Sequence, residues 1–298
     1  MRPLPPFLFL FLTVILTAPA AWAAECEQTL AAKFAKFTRT RMKVMQHCRE
    51  LVHTGRIPGP CPDYKAAAQI ATMRSKLRQA VSESCGGVDE NCGTGDDVSL
   101  ASIGWDVGQC PDVRGSGCSN AIGHCGDVVD CLVCTGEAAV DAGVALAYDA
   151  LEPAAYTSAV GRCQATLGRS MGRYFDAQTG ALAACEHHDL GKGATGTCPD
   201  PVKTVPRMLR AGEKLVNRLC KACGASDGVC GGDDFLPEWI GFPTSCPDVT
   251  PPGGSSCAHP IHQLIDVIAC VRCVTDFEVA CLDPLAVPGL KAYPAECP

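Results

Sequence analysis

Four groups of residues in this chain have the types and spacing that chemistry needs. Gly168-Arg169-Ser170-Met171-Gly172 matches G-x-S-x-G, the signature of serine hydrolases in which a strand-to-helix elbow exposes the nucleophile. Cys131/Cys134, Cys220/Cys223 and Cys270/Cys273 are C-x-x-C pairs, a spacing shared by zinc sites, c-type haem attachment and thiol–disulfide exchange. Cys257, His259 and His262 are metal-ligand types at helix-compatible spacing, and His187-His188 follows close on Cys185. The acidic runs Asp89, Glu90, Asp96, Asp97 and Asp227, Asp233, Asp234 offer the oxygen ligands that calcium takes.

A structural role competes with each of these. Ser170 falls in the middle of an amphipathic helical pattern, where Gly168 and Gly172 leave room for a close helix contact, so it is not read as a nucleophile. Haem attachment requires His after the second cysteine, and Thr135, Gly224 and Val274 stand there. A thioredoxin-like site needs a βαβ context, and none is evident. Two bridges leaving adjacent helical turns is the expectation for the C-x-x-C pairs, with structural zinc as the alternative. The acidic runs do not follow EF-hand spacing and are expected to be hydrated turns. No cofactor is expected, and no Cys/His or carboxylate pair forms a catalytic constellation, so the chain is not read as an enzyme. Metal binding, to zinc or calcium, is the alternative function.

The elements that must position these residues are duplicated. Cys26, Cys48, Cys61, Cys85, Cys92, Cys110, Cys118, Cys131 and Cys134 recur as Cys163, Cys185, Cys198, Cys223, Cys230, Cys246, Cys257, Cys270 and Cys273, every step agreeing to within three residues. The suggestive residues are not duplicated: Ala31-Ala32-Lys33-Phe34-Ala35 aligns with the G-x-S-x-G run, and Asn120 and Gly123 align with His259 and His262. In each copy a helix with one apolar stripe (Cys26, Leu30, Phe34, Phe37, Val44, Cys48, Leu51, interrupted at Arg41) leads through a Pro/Gly turn to a second helix. The off-stripe Lys33, Lys36, Arg39 and Lys43 read as a solvated face. The second copy's second helix has apolar Val205, Leu209, Val216 and Leu219, and Pro206 places its start, because proline is tolerated only in a first turn. At ~1.5 Å per residue the two legs have similar lengths. An antiparallel hairpin then pairs Cys26 with Cys85 and Cys48 with Cys61, and likewise Cys163 with Cys223 and Cys185 with Cys198. A Gly/Asp-rich irregular segment follows, then a third helix carrying the terminal C-x-x-C pair.

The fold class is therefore mainly α: two tandem disulfide-rich repeats, residues 24–155 and 156–298, joined near Glu152-Pro153, after a signal peptide at residues 1–23. Arg2, the apolar run Phe7 to Leu16 and the small residues that follow carry the export reading. No other stretch reaches the ~20 apolar residues of a membrane span. Twenty-two cysteines in an exported chain point to disulfides in an oxidising compartment, periplasmic or extracellular. The net charge of −7 disfavours nucleic acid as a partner. Nine shared cysteines per copy is odd; Cys125 makes ten in the first, and Cys220, Cys281 and Cys297 make twelve in the second. Because Cys297 stands relative to the second copy roughly as Cys163 stands relative to the first, Cys163 is free to close either repeat.

Cys-Lys-Ala-Cys-Gly at Cys220, Ile-Gly-Phe-Pro at Ile240, Cys-Pro-Asp-Val at Cys246, Cys-Val-Arg-Cys-Val at Cys270 and Tyr-Pro-Ala-Glu-Cys-Pro at Tyr293 together resemble a group of bacterial secreted cysteine-rich tandem-repeat proteins. The resemblance spans the mature chain, is closer in the second copy, and carries no activity with it. Copy one departs from it at Ser82, where copy two has Cys220, and at Cys125, where copy two has Leu264. The expected function is a non-catalytic binding or envelope-structural role.

Overall fold

The computed structural model describes residues 18–150, 158–193 and 197–297; the first seventeen residues of the expected signal peptide at 1–23 and the expected junction at Glu152-Pro153 lie outside them. Six α-helices make up the described chain: α1 (Ala18–His53), α2 (Tyr64–Cys85), α3 (Cys125–Tyr148), α4 (Ser158–Gly191), α5 (Thr204–Cys223) and α6 (Leu264–Ala286). No helix among the described residues is long and apolar enough to cross a membrane.

Local chemistry sets the helix starts. Asp63 caps α2 by accepting from the Ala66 N–H at 2.9 Å. Asp200 does the same work for α5, accepting from the Val202, Lys203 and Thr204 N–H groups, and Pro206 sits in the first turn as expected. α3 and α6 begin with equivalent capping boxes, in which Asp127 and Asp266 reach back to the His124 and Gln263 N–H groups. Pro284 lies inside α6, within two residues of its end at Ala286.

The hairpins α1–α2 and α4–α5 lie side by side, with α3 and α6 packed across them. α1 and α4 run antiparallel: Gln46 Nε2 donates to the Gly168 carbonyl at 2.6 Å, Arg39 meets Asp176 at 2.6 Å, and Gln28 approaches Gly191. Because α4 is the duplicate of α1, equivalent faces meet, which is the internal analogue of an isologous two-fold interface. A Cβ at Gly172 would strike the Gln46 amide of α1 and one at Gly168 would strike the Tyr148 hydroxyl at the end of α3, so the two glycines let α4 approach α1 and α3 respectively.

This packing widens the buried surface of α1 beyond one stripe. Ala31, Ala35, Thr38, Met42, Met45 and Gln46 are buried as well. Arg41, an interruption in the sequence pattern, is 6% exposed and pairs with Glu137 at 2.9 Å and Asp141 at 2.7 Å on α3. Lys33, Lys36 and Lys43 are exposed, but Arg39 belongs to the inter-repeat contact. On α5 the stripe is Gly212, Leu215, Leu219 and Cys223; Leu209, expected on it, is 53% exposed, since the distal end of α5 has only a shallow groove beside it.

Candidate functional site

All twenty-two cysteines are bonded, five bridges in the first repeat and six in the second, with none crossing between repeats. The hairpin bridges are Cys26–Cys85, Cys48–Cys61, Cys163–Cys223 and Cys185–Cys198, so Cys163 closes its own repeat. Cys297 pairs with Cys281. The C-x-x-C pairs anchor loops to adjacent turns: Cys131 and Cys134 of α3 take Cys110 and Cys118, and Cys270 and Cys273 of α6 take Cys246 and Cys257. Cys220 and Cys223 of α5 take Cys230 and Cys163. Eleven disulfides are the mark of an oxidising compartment.

The residues nominated as metal ligands have other partners. Cys257 has no thiolate to offer, being bonded to Cys273. His259 places Nδ1 at 2.7 Å from the Cys257 carbonyl and Nε2 at 3.2 Å from the Asp266 carbonyl. Asn120, its counterpart, donates to the Asp127 carbonyl at 3.1 Å, so the two side chains fill one structural role. His262 is exposed and uses its backbone N–H on Asp266. Cys185, Asp189 and Cys198 do converge, but their sulfurs are bonded to each other and Asp189 accepts from the Thr197 hydroxyl at 2.6 Å.

The acidic runs are loop clasps. Asp96 accepts from the Thr94 hydroxyl and the Val88 N–H, which hold its carboxyl below the usual carboxylate range. Asp233 is held down in the same way by the Ser226 hydroxyl and N–H. Asp97 and Asp234 accept from the Gly93 and Gly231 N–H groups, and Asp89 and Asp227 from Asn91 and Val229. Carboxylates turned inward on their own loop are committed before any cation arrives.

What the sequence reading missed is a cleft of about 670 Å³ between α4 and α5. Arg162, Arg169 and Arg173 line it from α4, and Arg218 and Lys221 from α5. No carboxylate lines it among the described residues. The α4 positions recur at the spacing of one helix face and span ~16 Å along the axis. Only Arg169 has an acidic partner, Glu50 at 3.8 Å; among the described residues the other four cations have no ion pair. Burial raises the Glu50 carboxyl, and Arg169, His47 and Arg173 oppose that rise. Ser170 also lines the cleft; it is 1% exposed and its Oγ has no hydrogen-bond partner. Helical geometry carries the serine to this cleft, with no strand-to-helix elbow and no histidine in the lining.

The first repeat has a smaller groove at the overlapping place, about 230 Å³, where Lys33, Lys36, Ala80 and Glu83 are the counterparts of Ser170, Arg173, Arg218 and Lys221. Glu25, Ala32, Ala80 and Glu83 stand where the second repeat has Arg162, Arg169, Arg218 and Lys221, and only Lys36 keeps the charge of Arg173. Thr29 Oγ1 donates to Ser84 Oγ at 2.9 Å and ties α1 to α2, whereas the counterparts Thr166 and Ala222 leave that gap open. This α1–α2 groove is of mixed charge, with Lys33, Lys36 and Lys76 beside Glu83. The signal for the cleft was available in the duplication, as a charge difference confined to one helix pair.

No family model matches the chain, and neither a curated protein nor a solved structure matches it.

Proposed function

We propose that the chain is exported through a cleaved signal peptide and acts as a disulfide-stabilised, non-catalytic binding protein whose ligand enters the cleft between α4 and α5. The observation that carries this reading is the cleft itself: a volume within the ~300–1,000 Å³ of small-molecule sites, convergent polar groups, and a buried hydroxyl without a partner. The bridges supply a rigid wall for it, since α5 is tied at its end to α4 by Cys163–Cys223 and to the following loop by Cys220–Cys230. The His259 ring and the acidic runs are committed to partners within the protein, and Cys257 is bonded, which favours binding through the cleft over metal binding.

The test is the variant Ala222→Trp, which fills the open gap without touching a bridge. Ligands from three classes, an uncharged oligosaccharide, a tricarboxylate and an oligophosphate, are titrated into wild-type and variant protein. Binding of any one of them that is lost in the variant, with all thiols still unreactive to alkylation, supports the reading. Equal behaviour of the two proteins toward every class sinks it.

A further inference from the structure

Resting on that binding role, we infer that the cleft takes an anion carrying two or more phosphoryl groups. The first reason is charge. Five cations face one cavity in a chain whose net charge is −7, and four of them lack an ion pair among the described residues. Arg162, Arg169, Arg173 and Lys221 are exposed and Arg218 is half-buried, so all five are open to a ligand, and their convergence on one concavity sets like charges against one another. A counter-ion offsets that repulsion, and at about −1.5 to −2 per phosphoryl group near pH 7, two or three groups match the five charges.

The second reason is the kind of cation. Four of the five are arginines, whose planar fork presents paired N–H donors to phosphate or carboxylate oxygens, and the fifth is a lysine that acts as a point charge. Three arginines in file on α4 and two cations opposite them on α5 suit an elongated ligand with anionic groups at intervals. The third reason is Ser170, whose buried Oγ has no partner within the protein. A buried hydroxyl without a partner in the protein has a hydrogen bond left to give, and Ser170 lines the cleft where a ligand oxygen would accept it.

The fourth reason is divergence between the repeats. The cations replace two glutamates and two alanines, and the Thr29–Ser84 bond that closes the equivalent gap is absent. A second cleft, lined by Lys43, His47 and Glu50 of α1, shares Arg169 and Arg173 with the first. The same chemistry is offered by a free oligophosphate and by a diphosphorylated lipid headgroup.

Calorimetric titration of sodium tripolyphosphate into the mature protein at about 0.15 M salt tests this, with cardiolipin vesicles in phosphatidylcholine as the lipid arm and citrate as the carboxylate control. The expected result is saturable binding of tripolyphosphate or of the cardiolipin vesicles, with citrate at least tenfold weaker. Arg173→Gln and Arg218→Gln should each weaken it about tenfold, and the pair about a hundredfold, while Lys33→Gln with Lys36→Gln leaves it unchanged. These are surface charge removals, and an unchanged melting temperature confirms folding. Binding that is indifferent to the Arg173/Arg218 pair, citrate binding as tightly as tripolyphosphate, or no binding in either phosphoryl arm overturns the phosphoryl assignment. If another ligand class is still lost in Ala222→Trp, the binding reading survives that failure; if none is, both fall together.

Discussion

The two repeats answer the same structural problem with different residues, and the differences separate framework from function. Arg39 and Asp176 occupy equivalent positions and meet each other at 2.6 Å across the α1–α4 contact, with Lys43 joining at 3.3 Å. A residue near a pseudo-two-fold faces its own duplicate, so identical charges there would repel; opposite charges turn the same contact into an ion pair. The loop cysteine Cys92 bonds to Cys125 at the start of α3, while its counterpart Cys230 bonds to Cys220 on α5. Ser82 stands 3.7 Å from Cys92 where the second repeat has Cys220, and Leu264 is buried where the first has Cys125. The anchoring of the loop is common to both repeats, and the helix that receives it is not. Against this background of compensated swaps, the α4–α5 charge change stands out because Glu50 alone, paired with Arg169, offsets it among the described residues.

The largest test of the shared framework removes the hairpin bridges. Cys26→Ala with Cys85→Ala, and separately Cys163→Ala with Cys223→Ala, break loops of 59 and 60 residues, so each should cost about 4 kcal/mol in urea denaturation. Costs differing by much more than ~1 kcal/mol would show that the repeats do not contribute alike. Full reduction should abolish the helical circular dichroism at moderate temperature, since eleven bridges together exceed the ~5–15 kcal/mol of ordinary stability.

Next comes a pH effect centred on a buried ion cluster of the second repeat. Lys291 Nζ lies 2.6 Å from Glu186 and also meets Asp283, all three largely buried. Burial first, then the Asp283 carboxylate, push the Glu186 carboxyl up to about 9 against the pull of Lys291. A carboxyl raised in the folded state contributes stability that is complete below its ordinary value and is lost as the pH climbs through 9. The melting temperature should therefore fall progressively as the pH rises from about 4.5 to about 9 and level off above, and Glu186→Gln, which keeps the neutral form, should flatten that limb. Arg49 holds the equivalent position in the first repeat and pairs with Asp149 at 2.8 Å, so Arg49→Gln should leave the limb in place.

Gly168→Ala probes the contact of α4 with the end of α3. The added Cβ meets the Tyr148 hydroxyl and should cost about 1–3 kcal/mol, whereas the reverse change at its counterpart, Ala31→Gly, should cost only about 1 kcal/mol through helix propensity. Similar losses at the two positions would mean that the contacts there are equally close. The smallest effect concerns the exchanged bridge. Ser82→Cys with Cys125→Leu gives the first repeat the pattern of the second, and peptide mapping should find Cys92 bonded to the thiol at position 82. The shorter loop, 10 residues in the second repeat against 33 in the first, should make the variant about 1 kcal/mol less stable.

Much of this molecule was readable from its residues because the information was local or repeated. Cysteine periodicity exposed the duplication, turn and cap residues placed the helix starts, and two legs of similar length left the hairpin bridges with one economical pairing. Export rests on the leader's composition alone, and residues up to 17 lie outside the described chain. Other features depend on residues distant in sequence whose approach no periodicity encodes. Arg41 looks like a flaw in an apolar stripe until α3 brings Glu137 and Asp141 to it. Arg162, Arg169 and Arg173 look like ordinary solvent-facing charges until the α4–α5 hairpin sets Arg218 and Lys221 across from them. The sequence by itself determined the repeats, the helices and the cysteine framework, since each follows from spacing along one chain segment. Tertiary structure alone decided which cysteine Cys92 and Cys230 would take, how α1 meets its own duplicate, and where positive charge is concentrated, because each is set by the juxtaposition of helices and not by any one of them.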